Sequence, residues 1–181
     1  MKTVAEITPE IEQFIAAQCI FFVATAPLAG DRHVNLSPKG LDTLRILSPT
    51  SVAYLDLTGS GNETAAHVSE NGRITLMFCA FEGKPNILRL YGRGRLVLPG
   101  SADWTGLVER FTMYAGARQV IVCDVDRVQN SCGMAVPLMR FESHRDGLPK
   151  WAAAKGELGM KEYRIKKNRQ SIDGIPIPSG D

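Results

Sequence analysis

Residues 59–64, Gly-Ser-Gly-Asn-Glu-Thr, put two glycines, an amide and a hydroxyl into six positions, a composition suited to holding a phosphate. Gly59, Gly61 and Thr64 give G-x-G-x-x-T, which lacks the third glycine of a dinucleotide fingerprint, and no strand-helix-strand unit surrounds it. No Gly-Lys-Ser/Thr follows, which removes the P-loop. Two readings stay open. Asn62 can cap a short helix through 68, stopped by Asn71 and Gly72, whose free first amides and Thr64 hydroxyl would hold a phosphate; or the stretch is an ordinary turn and cap. Glu63 weighs towards the second, because a carboxylate in the first turn suits the helix dipole and repels an anion. A phosphate here needs a cation from elsewhere, and Lys39 in NLSPKG and Arg45 in LDTLRIL are nearest in sequence.

The other chemistry-bearing residues are sparse. His33, His67 and His144 have no metal-ligand spacing, and His67, after two alanines in a helix, is expected at the surface or half-buried. Cys19, Cys79, Cys123 and Cys132 show no C-x-x-C; the first three sit in apolar runs as small hydrophobes, and Cys132 sits in a loop. No metal site and no disulfide framework are expected. Arg89, Arg93 and Arg95 alternate along one strand, where phosphate binding, pairing across an interface and simple solvation all stay open.

With 181 residues, 44% of them hydrophobic, the chain can bury roughly two thirds of its unfolded surface in one domain. A formal net charge of +2 is too mild to argue for nucleic acid or an anionic membrane. Positive charge gathers locally, with nine Lys or Arg against four Asp or Glu over 140–170, including YRIKKNR; a solvated helix face is the expectation. The apolar run 19–26 follows acidic residues and is far short of a membrane span, so neither signal peptide nor membrane segment is expected, and a cytoplasmic location is.

These residues must be positioned by strands. Thr8 and Pro9 open a first helix with Ile11, Phe14 and Ile15 as its stripe. CIFFVAT, HVNLSP, SVAYLDL and RITLMFCAF read as strands between turn formers. In NILRLYGRGRLV, Leu88, Leu90, Gly92, Gly94 and Leu96 share one face, and Arg89, Tyr91, Arg93, Arg95 and Val97 the other. Trp104, Leu107, Val108 and Phe111 predict an amphipathic helix over 101–116. RQVIVCDVDRVQ is a further strand, LPKWAAAKGELGMKEYRIKK a helix kinked near Gly156 and Gly159, and SIDGIPIPSGD an irregular tail. Strands following one another with few helices between them predict a small antiparallel barrel with peripheral helices, its curvature eased by Gly92 and Gly94.

NLSPKG, then VAYLDLTGSGNETAAHVSENGRITLMFCAF, then ILRLYGRGRL, in that order over residues 21–128, resemble the FMN-binding split barrel of the pyridoxamine 5'-phosphate oxidase-like family. SCGMAVP and NRQSIDGIP resemble a subgroup apart from the true pyridoxamine phosphate oxidases. The resemblance implies a mainly β (β+α) split β-barrel with peripheral helices, a single domain over 1–181 with a helical extension from about 145, and FMN as cofactor. It also implies a homodimer with the flavin at the subunit interface and a small-molecule substrate. Asn35, Ser37 and Lys39 would contact the flavin, Asn62, Glu63 and Thr64 would line its phosphate end, and Asn86 and Arg89 would approach its ring. The family's oxidases carry a Ser-Arg-Lys cluster where this chain has Asn62, Glu63 and Thr64, so two cations are missing, and the arginine and histidine that grip pyridoxal phosphate have no counterpart. A flavin-dependent oxidoreductase follows, with a non-catalytic module for flavin, heme or deazaflavin as the alternative. No side chain is assigned a catalytic role, since the flavin itself would accept the hydride.

Overall fold

The computed structural model describes residues 2–180, with side chains from residue 3. Helix α1 (Pro9–Ala16) begins where the sequence places it: Thr8 is extended at φ −84° and ψ 166°, its hydroxyl accepts the Ile11 N–H at 3.4 Å, and Pro9 sits in the first turn. Eight strands follow the alternation of apolar residues: β1 (Lys2–Val4), β2 (Phe21–Thr25), β3 (Asn35–Lys39), β4 (Leu44–Ser48), β5 (Ser51–Leu57), β6 (Arg73–Cys79), β7 (Ile87–Val97) and β8 (Ala117–Ser131). They form one antiparallel sheet in the order β3-β2-β6-β7-β8-β5-β4, with β1 added to β8. The mainly β architecture with peripheral helices is as the sequence predicts.

The long strand β8 is the spine, pairing with β1, β5 and β7. Its register against β7 shifts between Tyr91 and Gly92, a bulge that bends both strands. A side chain cannot be placed there, because a Cβ on Gly92 would lie 2.1 Å from the Asp124 carbonyl oxygen. Two residues on, Gly94 leaves room for Val68 of helix α2 (Glu63–Asn71), whose methyl would sit 2.9 Å from an added Cβ. The two glycines thus serve different ends, one the bend and one the seating of a helix.

One core packs Val23, Leu76, Phe78, Leu88, Leu90 and Ile121 inside the curved sheet. A second packs Leu55, Val97, Val120, Val122 and Phe111 on its other side, where helix α3 (Trp104–Val108) lies against it. Val97 is therefore buried, on the same face as the exposed Arg93 and Arg95, because α3 covers only that end of β7.

Three expectations are corrected. The helix over 101–116 is five residues long: after Thr105 the chain tightens into i→i+3 bonds, Arg110 N–H to Leu107 and Phe111 N–H to Val108, which turns Phe111 into the second core. His67 is fully buried. Cys19 is exposed despite its apolar run, while Cys79 and Cys123 are buried; all four cysteines are free. Strands β1, three residues long, and β4, half-buried throughout with no alternation to mark it, are additional. Helix α4 (Gly147–Lys167) is kinked at Gly156, where φ 66° and ψ 174° lie outside helical values. Among the described residues no helix is long and apolar enough to cross a membrane, and no cluster of three metal-ligating side chains exists.

Candidate functional site

Strand β3 lies at one end of the sheet order and alternates between half-buried and exposed, so Asn35, Ser37 and Lys39 share one face and Leu36 and Pro38 the other. Strand β5 ends at Leu57; the chain then turns through Gly59, Ser60 and Gly61 into the start of α2 at Glu63. The inner face of β3 and this turn line a cleft of about 700 Å³ that also takes in Asp56, Thr43, Arg118 and, along its open side, Cys19, Leu41, Phe141, His144 and Arg145. That volume is in the range of small-molecule sites. Six residues marked out in the sequence, Asn35, Ser37, Lys39, Asn62, Glu63 and Thr64, are brought together here.

At the floor lies Asp56, 1% exposed. One oxygen accepts from Lys39 Nζ at 2.7 Å; the other accepts from Arg118 Nε and Gln119 Nε2, both at 2.8 Å. Burial pushes the Asp56 carboxyl up, but the charges and hydrogen bonds of Arg118 and Lys39 outweigh it and hold the group well below the usual carboxylate range. Two cations on one carboxylate leave a positive charge over at Asp56, set against the Glu63 carboxylate at the start of α2. They also leave donors unspent: Lys39 has two further N–H groups, and Arg118 uses Nε on Asp56 and Nη1 on Asn168 at 2.9 Å. The Lys39 ammonium lies 5.5 Å from the centre of the buried Tyr54 ring, which further fixes it.

The first residues of α2 are tied in as well. Asn62 makes no cap bond among the described residues; its Oδ1 accepts from Gln119 Nε2 at 2.8 Å. Glu63 accepts the Ile172 N–H from the C-terminal segment, at 3.1 and 3.2 Å to its two oxygens. Its carboxylate is thus engaged by the tail, which softens the repulsion expected at the amides of α2. Asn35 Nδ2 donates to Thr64 Oγ1 at 3.1 Å and to Thr25 Oγ1 at 3.3 Å, and Ser37 Oγ donates to Asn35 Oδ1 at 3.0 Å.

Not every anticipated residue comes to the cleft. Arg89 Nη1 donates to Ser131 Oγ at 3.0 Å, and Asn86 packs on Gly133; neither lines the cleft of its own chain. Arg45 is fastened to Asp42 at 2.6 Å and to the Arg110 carbonyl at 2.7 Å, away from it. Arg118, Asp56 and the segment 141–148 were missed. The first two did leave a mark, since a lone charge at the head of RQVIV and inside VAYLDL sits in otherwise buried runs, where charges occur in pairs.

The sequence pattern of the pyridoxamine 5'-phosphate oxidase family matches residues 7–132. A pyridoxamine 5'-phosphate oxidase family protein of Aspergillus flavus, ustO, is 39% identical, the alignment covering 94% of this chain and 75% of that one. Among solved structures, HupZ of Group A Streptococcus superposes with a TM-score of 0.54 at 21% identity, over 68% of this chain and 93% of that one. A Lactobacillus delbrueckii protein provisionally assigned as a pyridoxamine 5'-phosphate oxidase superposes with a TM-score of 0.55 at 14% identity, over 71% and 99%. At those identities the two structures speak for the fold alone. The split-barrel topology and the match over 7–132, together with the identity to the fungal protein, place this chain in the pyridoxamine 5'-phosphate oxidase family.

Proposed function

We propose that this protein binds FMN in the cleft between β3 and the start of α2, and uses it as an oxidoreductase acting on a small molecule. The observation that carries the reading is the pair Lys39 and Arg118 converging on buried Asp56 beside the Thr64 hydroxyl. This donor set fits a phosphate monoester: two cations with unspent N–H groups and a hydroxyl, at the end of a cleft large enough for the rest of the molecule. The two cations that the family's oxidases carry at 62–64 are absent, and Arg118 from β8 with Lys39 from β3 stands in their place.

In the mechanism that follows, Lys39 and Arg118 would hold the phosphate, with Asp56 fixing both side chains. Asn35 and Ser37, on the same face of β3 as Lys39, would contact the flavin. Bound FMN supplies a ring that accepts a hydride at N5. Phe141 and Leu148, both exposed at the cleft, would give a bound ring an apolar contact. A homodimer is part of the proposal: with the cleft open on one side, a second protomer presenting Asn86 and Arg89 would complete the ring end.

An absorption spectrum of the purified protein from 300 to 500 nm, followed by denaturation and identification of released material, tests the cofactor. Flavin bands with FMN in the supernatant are expected; a colourless protein that takes up no added FMN overturns the reading. Within it, Lys39→Ala should weaken FMN binding about tenfold or more, the loss of one charge-assisted bond, while Lys161→Ala on exposed α4 leaves it unchanged. Equal affinities in fluorescence titration would remove Lys39 from the site.

A further inference from the structure

Two parts of the phosphate end, Arg118 and the turn after β5, are held from behind by a side chain that does not line the cleft. Asn168 closes helix α4, and its backbone suffices for that, the N–H donating to the Arg164 carbonyl at 2.8 Å. The side chain is spare, and the residue is 4% exposed. Its Oδ1 accepts from Arg118 Nη1 at 2.9 Å, and its Nδ2 donates to the Gly59 carbonyl at 3.2 Å. Asn168 lies beyond the stretch 7–132 that matches the family pattern, so this support comes from the C-terminal extension.

The direction of both bonds is fixed. A guanidinium only donates and a carbonyl only accepts, so the amide fits one way, oxygen on Arg118 and nitrogen on Gly59. The reversed amide would set donor against donor on one side and acceptor against acceptor on the other. Arg118 is thereby held at two points, Nε by Asp56 and Nη1 by Asn168. At Gly59 the consequence passes through the peptide. In a trans peptide the carbonyl and the following N–H point opposite ways, so a Gly59 oxygen turned to Asn168 turns the Ser60 N–H away from it. Gly59, Ser60 and Gly61 line the cleft whereas Asn168 does not, and the Ser60 N–H makes no hydrogen bond among the described residues. Two glycines in three residues leave this turn wide backbone freedom unless something ties it.

We propose that Asn168 is a positioning residue for the phosphate end: it orders the 59–61 turn so that the Ser60 N–H donates into the cleft, and it fixes Arg118 beside that amide. Both groups are donors, so the ligand group they serve is an anion. The proposal rests on the FMN reading for which ligand carries that anion, and on the two hydrogen bonds alone for the order of the turn. Cutting the tie therefore costs FMN more than riboflavin, although Asn168 touches neither.

Two measurements test it. In the ligand-free protein, nitrogen relaxation of the Ser60 and Gly61 amides should give order parameters near the rigid value of about 0.85, falling below about 0.6 in Asn168→Leu. A turn equally ordered in both proteins overturns the proposal, whatever the protein binds. In fluorescence titrations, Asn168→Leu should lower FMN affinity about tenfold and leave riboflavin within about threefold. Asn168→Asp has the same shape and still accepts from Arg118, but its carboxylate has no proton for Gly59 and sets a negative charge behind the phosphate. It should loosen the turn and lower FMN affinity by about tenfold or more with riboflavin again within about threefold, which covers the case that Asn168→Leu does not fold. A loss shared equally by FMN and riboflavin, or unchanged FMN affinity in both variants, confines Asn168 to fastening α4 to the barrel. If the wild-type protein binds no FMN, the function reading fails and the order parameters still decide whether Asn168 holds the turn.

Discussion

Asp56 shows how one buried charge shapes a site. Its carboxylate is affordable in the core only because Lys39 and Arg118 meet it, and removing one partner leaves the other groups poorly compensated. Arg118→Met should destabilise the protein by about 3 kcal/mol in urea unfolding, more than Lys39→Met, since the Lys39 side chain is 21% exposed against 6% for Arg118. Because the folded Asp56 carboxyl is held below its unfolded value of 3.8, its contribution is present above that value and is lost as pH falls towards the folded one. Stability followed by denaturant titration should therefore drop below about pH 4, and Asp56→Asn, less stable at neutral pH, should show a flatter fall. The thiols divide by burial. Cys123, pushed up to about 12 chiefly by burial, and buried Cys79 should resist a thiol reagent until the protein unfolds, while exposed Cys19 and Cys132 react in the folded state. Thiol counting before and after denaturation checks this.

At the scale of elements, the C-terminal segment is the clamp on α2. Ile175 and Ile177 pack on Ala65 and Ala66, Ile172 N–H meets Glu63, and Asp173 accepts from the His33 backbone at 2.9 Å and from its ring Nδ1 at 2.7 Å. The hydrogen bond to Asp173 raises His33 above 6.5, and the same bond lowers Asp173 below 3.8. The signs give a window. The Asp173 share is present above 3.8 and fades as pH falls, and the His33 share is present below 6.5 and is lost as pH rises through the raised folded value. Limited proteolysis of the tail should be slowest between those limits, and Asp173→Asn should remove the dependence. This clamp was not legible in the sequence, where SIDGIPIPSGD reads as an irregular tail: two isoleucines among prolines have no period, and only the packing on α2 gives them a burial. The strand β7, by contrast, was legible residue by residue, and its Gly92 carries a sharp test. Gly92→Ala would drive a Cβ onto the Asp124 carbonyl, so a loss of about 3 kcal/mol or failure to fold is expected in thermal unfolding.

For the molecule as a whole, the exposed area is 10173 Å². A compact chain of 19.8 kDa exposes about 8,600 Å², so some 1,500 Å² stands in excess, more than the roughly 800 Å² one partner contributes to a standard interface. Apolar residues are prominent in it, with Leu36 at 62%, Met134 at 83% and Leu138 at 80% exposure. The excess supports the proposed homodimer, and sedimentation equilibrium at micromolar concentration should return twice the chain mass. A monomer there would leave Asn86 and Arg89 without a cleft to complete.

The sequence by itself determined six of the eight strands, the capped first helix, the turn at 59–62 and the family, because those depend on local pattern: alternation, caps, glycines and their order along the chain. It also marked six of the cleft residues, since three lie on one strand face and three at one helix start. Only the tertiary structure decided what joins them. Arg118 reaches Asp56 across the pairing of β5 with β8, a separation of 62 residues, and His67 reaches Thr25 across 42. A pattern confined to neighbours along the chain carries no information about such distances; burial does, because a charge or an imidazole closed off from water must find its partner wherever the fold brings one.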